Sequence, residues 1–125
     1  MPANRNDWRT TPLPKARASR TLERGYTAAE FARIREGRVP KEMEHRWFAF
    51  FEEPWLYVHR SWTGIGIFQV RFEQVRFEPT DGVIRVVEAL VNRDPEEYGG
   101  TDDIADAQRL AAMLDGYAGR DTGRP

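Results

Sequence analysis

The chain predicts an α+β domain, a four-stranded antiparallel meander flanked by an N-terminal and a C-terminal helix packed on one face. Three observations predict it. Thr27-Ala-Ala-Glu30 is a capping box that opens a short helix. Four runs rich in aromatic and β-branched residues follow it, joined by links of hairpin length. Ile104, Ala107, Leu110, Ala111, Leu114 and Tyr117 then recur at helical spacing. Hairpin-length links make neighbouring strands antiparallel, and such a sheet packs its helices on one face.

At 125 residues the chain has the length of one domain, enough to bury roughly two thirds of its unfolded surface without staples. Hydrophobic residues make up 40% and aromatics 12%, so rings carry much of the core. The absence of cysteine excludes disulfides, thiolate nucleophiles and cysteine-based zinc sites. No stretch approaches the ~20 apolar residues of a membrane span, and residues 1–20 lack the apolar run of a signal peptide. A cytoplasmic protein without membrane contact is expected.

Taken in order, residues 1–20 hold Pro2, Pro12 and Pro14 among Arg5, Arg9, Lys15, Arg17 and Arg20. This composition reads as a mobile basic arm, with Trp8 the one residue suited to docking. A single domain follows over 21–118. The capping box starts its first helix at Ala28; Phe31 and Ile34 share a face, and Gly37 and Pro40 stop it. Trp47–Phe51 is a first strand. Pro54 turns the chain into Trp55–Ser61, where Leu56, Val58 and Arg60 point one way and Trp55, Tyr57, His59 and Ser61 the other. Trp62-Thr-Gly64 is a turn into Ile65–Phe72.

Residues 69–73 and 74–78 repeat Gln-Val-Arg-Phe-Glu, and an odd period flips the apolar face unless a bulge intervenes, here expected near Glu73–Gln74. Thr80-Asp-Gly82 makes the next turn and Val83–Asn92 the fourth strand. A loop with Gly99-Gly100 leads to a cap at Thr101-Asp-Asp103 and a helix to about Gly116. Residues 119–125 read as a disordered tail.

Polar chemistry concentrates between Trp55 and Gly64. His59 and Ser61 lie on one strand face, about 6–7 Å apart by the strand rise, and a histidine-x-serine pair resembles half of the two-histidine phosphoesterase motif. The other histidine, His45, is followed by Arg46-Trp47, so the second half is missing. A serine nucleophile has no recognisable partners here, and two histidines fill no zinc shell, so neither metal nor cofactor is expected. Arg60, Arg93 and Lys41 form a second set. Beside Trp47, Tyr57 and Trp62 they offer a ring floor and guanidinium forks for phosphate; in the alternative reading the arginines pair with Glu52, Glu53 and Asp94 on an aromatic core that binds nothing.

Arg46-Trp-Phe, Trp55-Leu-Tyr-Val-His-Arg-Ser-Trp-Thr-Gly64, Gln69-Val-Arg-Phe and Val91-Asn-Arg-Asp94 together resemble the signature of a poorly characterised bacterial domain family. Its members read Lys/Arg-Trp-Phe, then Leu-Tyr-x-His-Arg-Ser-Trp-Thr-Gly. The likeness spans roughly residues 26–118. Some members resemble partners of ADP-ribose-processing enzymes, as fusions or neighbours, so the resemblance implies a nucleotide-like ligand and no defined activity.

These observations point first to a module binding a nucleotide-like or phosphate-bearing ligand at the sheet edge, through Lys41, Trp47, Arg60, Ser61, Trp62, Thr63, Asn92 and Arg93. A second reading is a hydrolase of a phosphodiester or N-glycosidic bond with His59 as general acid/base. A third is a protein-interaction module of the immunity or defence-accessory kind, whose acidic body meets a basic partner. Residues 1–40 carry nine basic and four acidic residues and residues 41–125 ten and sixteen, +5 against −6, so attraction draws the basic arm back onto the acidic body, and a fourth, weaker reading brings nucleic acid to the arm instead.

Overall fold

The computed structural model of the protein describes residues 2–20, 22–42, 45–75, 83–98 and 103–119. The first helix, α1 (Ala28–Glu36), begins as the capping box dictates: the Thr27 hydroxyl accepts from the Glu30 amide at 3.1 Å, and Glu30 accepts from the Thr27 amide at 3.0 Å. It ends at Gly37, where φ is +70° and the amide donates to Ile34. A Cβ there would lie 2.2 Å from the Ala49 carbonyl oxygen. The close approach lets Arg38 exchange two hydrogen bonds with Ala49 and cover part of an open sheet edge.

The strands are β1 (Arg17–Arg20), β2 (Gly25–Tyr26), β3 (Trp47–Glu52), β4 (Trp55–Arg60), β5 (Gly66–Val75) and β6 (Val83–Asn92), and the second helix is α2 (Asp103–Tyr117). The expected four-stranded meander is therefore a six-stranded antiparallel sheet. Its order is β1-β6-β5-β4-β3, with β2 also on β6. The meander is present as β3 to β6; β1 and β2 add to the outer edge of β6, Arg17–Arg20 against Ala89–Asn92 and Gly25–Tyr26 against Ile84–Arg85. Both hold through main-chain pairing, and three of the four β1 side chains are exposed, so no alternation of apolar residues announces it.

A register shift does interrupt β5, but it falls between Arg71 and Phe72, and the extra residue is Val87 of β6. The expected position at Glu73–Gln74 is off because the partner strand accommodates the mismatch. A second shift between Val58 and His59 leaves Ile67 of β5 as the extra residue, fully buried. The second copy of the pentapeptide beyond Val75, the Thr80-Asp-Gly82 turn, Gly99-Gly100, Thr101-Asp102 and residues 120–125 lie outside the described residues.

Leu56, Val58, Phe68, Val70, Phe72, Ile84, Val86, Ala89 and Val91 of the sheet meet Ile34 of α1 and Leu110 and Leu114 of α2 in the main core, so both helices pack on one face. The other face carries a smaller core of Ala3, Phe48 and Phe50, packed by Trp8, Val39 and Tyr57. Of residues 2–20, expected as a mobile basic arm, the part before β1 lies across this second face and residues 17–20 continue into the sheet as β1. Ala3 and Leu13 are buried, the Ala3 amide donates to Glu36, Thr11 bridges Ile65, and Arg5 grips Glu52 with Nε–Oε2 at 2.7 Å. A few large contacts from a polar segment cover this layer.

Candidate functional site

The strand ends Trp47, Arg60, Gly66 and Asn92 and the start of β1 lie at one end of the sheet. The turn joining β4 to β5 projects from it. Gly64 has a φ of +77°, and a Cβ on it would stand 2.3 Å from the Arg9 carbonyl oxygen, so only glycine closes this turn against the N-terminal segment. The turn is held from three sides. Its Gly64 amide donates to Arg60; the Ser61 amide and hydroxyl donate to the Arg46 and His45 carbonyls, each at 2.8 Å; the Trp8 indole donates to the Ser61 carbonyl at 2.7 Å, and the Thr11 amide to the Gly64 carbonyl at 2.7 Å.

On this fixed backbone the side chain of Trp62 stands 73% exposed. It borders a groove of about 370 Å³ lined by Trp8, Pro40, Lys41, Glu42, Ser61 and Trp62. Glu42 lies 3.6 Å from His45 Nε2. Of the residues selected from sequence, Lys41, Ser61 and Trp62 come together here, with Thr63 exposed beside them and its hydroxyl accepting from the Ile65 amide at 3.2 Å. Trp8 and Pro40 were not selected; the signal for Trp8 was an indole in a polar segment.

His59 is 4% exposed beneath the N-terminal segment. Its ring stacks on Phe50 at 5.6 Å and 11°, and Nδ1 lies 3.0 Å from the Gly64 carbonyl oxygen. Burial pushes its pKa down, against the opposing pull of the Gly64 and Thr11 carbonyls. Ser61 shares the strand face, but its hydroxyl is spent on His45. The pair is thus a packed imidazole beside a clamped hydroxyl, each bonded to a backbone carbonyl, of Gly64 and His45 respectively.

Trp47, Arg60, Asn92 and Arg93 gather on the helix side instead. The Arg60 guanidinium lies over the Trp47 ring at 5.7 Å and the Tyr98 ring at 5.9 Å, while the residue remains exposed. The Tyr98 hydroxyl donates to Asp106 Oδ1 at 2.5 Å and accepts from Arg109 at 3.1 Å, and Arg93 pairs with Asp106 Oδ2 at 2.7 Å. Burial and the Asp106 carboxylate push the Tyr98 phenol up, so it stays protonated. Asn92 is fully buried; its amide donates to Gly66 and Glu97, and its Oδ1 accepts from the Asp94 amide.

Arg60 and Arg93 therefore meet around Tyr98, one at its ring and one through the acid on its hydroxyl. Asn92, Arg93 and Asp106 are committed to fastening the 93–98 loop to α2. Sequence reasoning missed Tyr98, Asp106 and Arg109. Asp106 lies four residues before Leu110, on the inward stripe of α2, where an acid needs a partner. Among the described residues no group of three or more His, Asp or Glu could hold a metal ion, and no helix is long and apolar enough to cross a membrane. No family model, curated protein or solved structure matches the chain.

Proposed function

We propose that the protein is a binding module for a nucleotide-like, phosphate-bearing ligand seated in the groove at Trp62. The observation that carries this reading is a tryptophan 73% exposed on a turn whose backbone is clamped by Trp8, Thr11, His45 and Arg46. An exposed ring face on a rigid backbone offers contact area to a ligand at low entropic cost. Lys41 lines the same groove and supplies a charge for phosphate. Hydrolysis draws no support from His59, which sits under the N-terminal segment away from the groove lining.

Thermal-shift titration with adenosine 5′-monophosphate, ADP-ribose, NAD and cyclic dinucleotides tests this, because a ligand at 100 times its Kd adds about 2.7 kcal/mol. Trp62→Ala abolishes the shift while leaving the unliganded melting point in place, as expected for an exposed side chain. A flat screen, or a shift that survives Trp62→Ala, rejects the proposal.

A further inference from the structure

We infer that the ligand of this groove is a single-stranded nucleic acid rather than a free nucleotide, an inference that rests on the stacking site just proposed. Small-ligand sites are concave and bury most of the ligand's surface. Here the platform itself is 73% exposed, so a base stacked on Trp62 keeps its outer face in water. In a strand, the neighbouring base covers that face, and sequence-tolerant stacking on exposed rings is how such strands are held.

The charges around the turn point the same way. The segments that clamp it carry Arg9, Lys41, Arg46 and Arg60, all exposed, against two described acids, Asp7, which accepts from the Asn4 amide, and Glu42, close to His45. This excess of cations falls on the segments around one turn in a chain of net charge −1. The cations also straddle it. Lys41 lines the groove on the side of the N-terminal segment, and Arg60 lies over Trp47 and Tyr98 on the helix side. A mononucleotide offers its phosphate in one place, whereas a strand crossing the turn places phosphates before and after the stacked base. Of the acids near Tyr98, Glu97 accepts from Asn92, Asp94 from the Glu96 amide, and Asp106 of α2 pairs with Arg93, while Glu96 is exposed.

Fluorescence anisotropy of a labelled 12-nucleotide oligothymidylate on the full chain tests this, with thymidine 5′-monophosphate and a 12-base-pair duplex as competitors. The oligonucleotide binds at least tenfold more tightly than the mononucleotide, and the duplex competes poorly. The log affinity falls with log salt by about 0.7 for each phosphate contact. Trp62→Ala lowers affinity at least tenfold; Lys41→Glu and Arg60→Glu each weaken binding and flatten the salt slope, whereas Arg85→Glu, exposed at the other end of the sheet, does neither. Equal affinity for mononucleotide and oligonucleotide, a flat salt slope or equal competition by duplex overturns the strand inference and leaves the nucleotide site standing. No binding of either probe overturns both.

Discussion

Gly64 combines a left-handed backbone with main-chain contact against Arg9, so any side chain strains the turn and pushes away the N-terminal segment. Gly64→Ala is expected to cost at least ~2 kcal/mol, read from urea unfolding. His59 gives a pH dependence whose sign follows from burial. Its pKa is lowered from the ordinary 6.5, so as pH falls the unfolded chain takes up the proton before the folded one does. This contribution is complete above the unfolded pKa, shrinks as pH drops below about 6.5 and stops changing below the folded pKa. His59→Phe, which keeps a ring on Phe50, should flatten that part of the slope in melts between pH 7.5 and 5; an unchanged slope would assign it to other groups. Both residues were visible in the sequence as a turn glycine and a strand histidine. Their burial was not, because it depends on a segment some fifty residues away.

At the scale of elements, Arg93 and Asp106 join the end of β6 to α2 with side chains 16% and 5% exposed. Removing the guanidinium leaves a buried carboxylate uncompensated, so Arg93→Ala should cost ~3 kcal/mol in a denaturant titration. A loss below ~1 kcal/mol would mean that water reaches Asp106. The elements that announce themselves in the sequence have local causes: the capping box and glycine of α1, the alternation in β4 and the apolar stripe of α2. Strand β1 has no such cause. Arg17-Ala-Ser-Arg20 shows no apolar period, and its place follows from the unfilled outer edge of β6. Alternation correctly separated Leu56 and Val58 from Tyr57 and His59, yet it carried no information about what covers the second face. It also put Arg60 and Ser61 on opposite sides of β4, which is why the expected single site divides in two, a groove at Trp62 and an ion-pair cluster at Tyr98.

For the molecule as a whole, the N-terminal segment acts as a third layer, the sheet lying between it and the helices. It covers Phe48 and Phe50, presents Trp8 to the turn and continues into β1. Each of these contacts is small, but they are linked through one chain and one sheet, so they should open together with the fold. Trypsin has potential sites at Arg9, Lys15, Arg17 and Arg20, where an arm detached from the body would be cut at once. In the docked arrangement the flanking backbone is tied by Thr11 to Gly64 and Gly66 and by Ala16 to Arg93. Cleavage should then follow the population of the unfolded state and accelerate with urea in step with global unfolding. Rapid trimming in native buffer without loss of the folded signal would detach this layer from the fold, and with it the Trp8 wall of the groove.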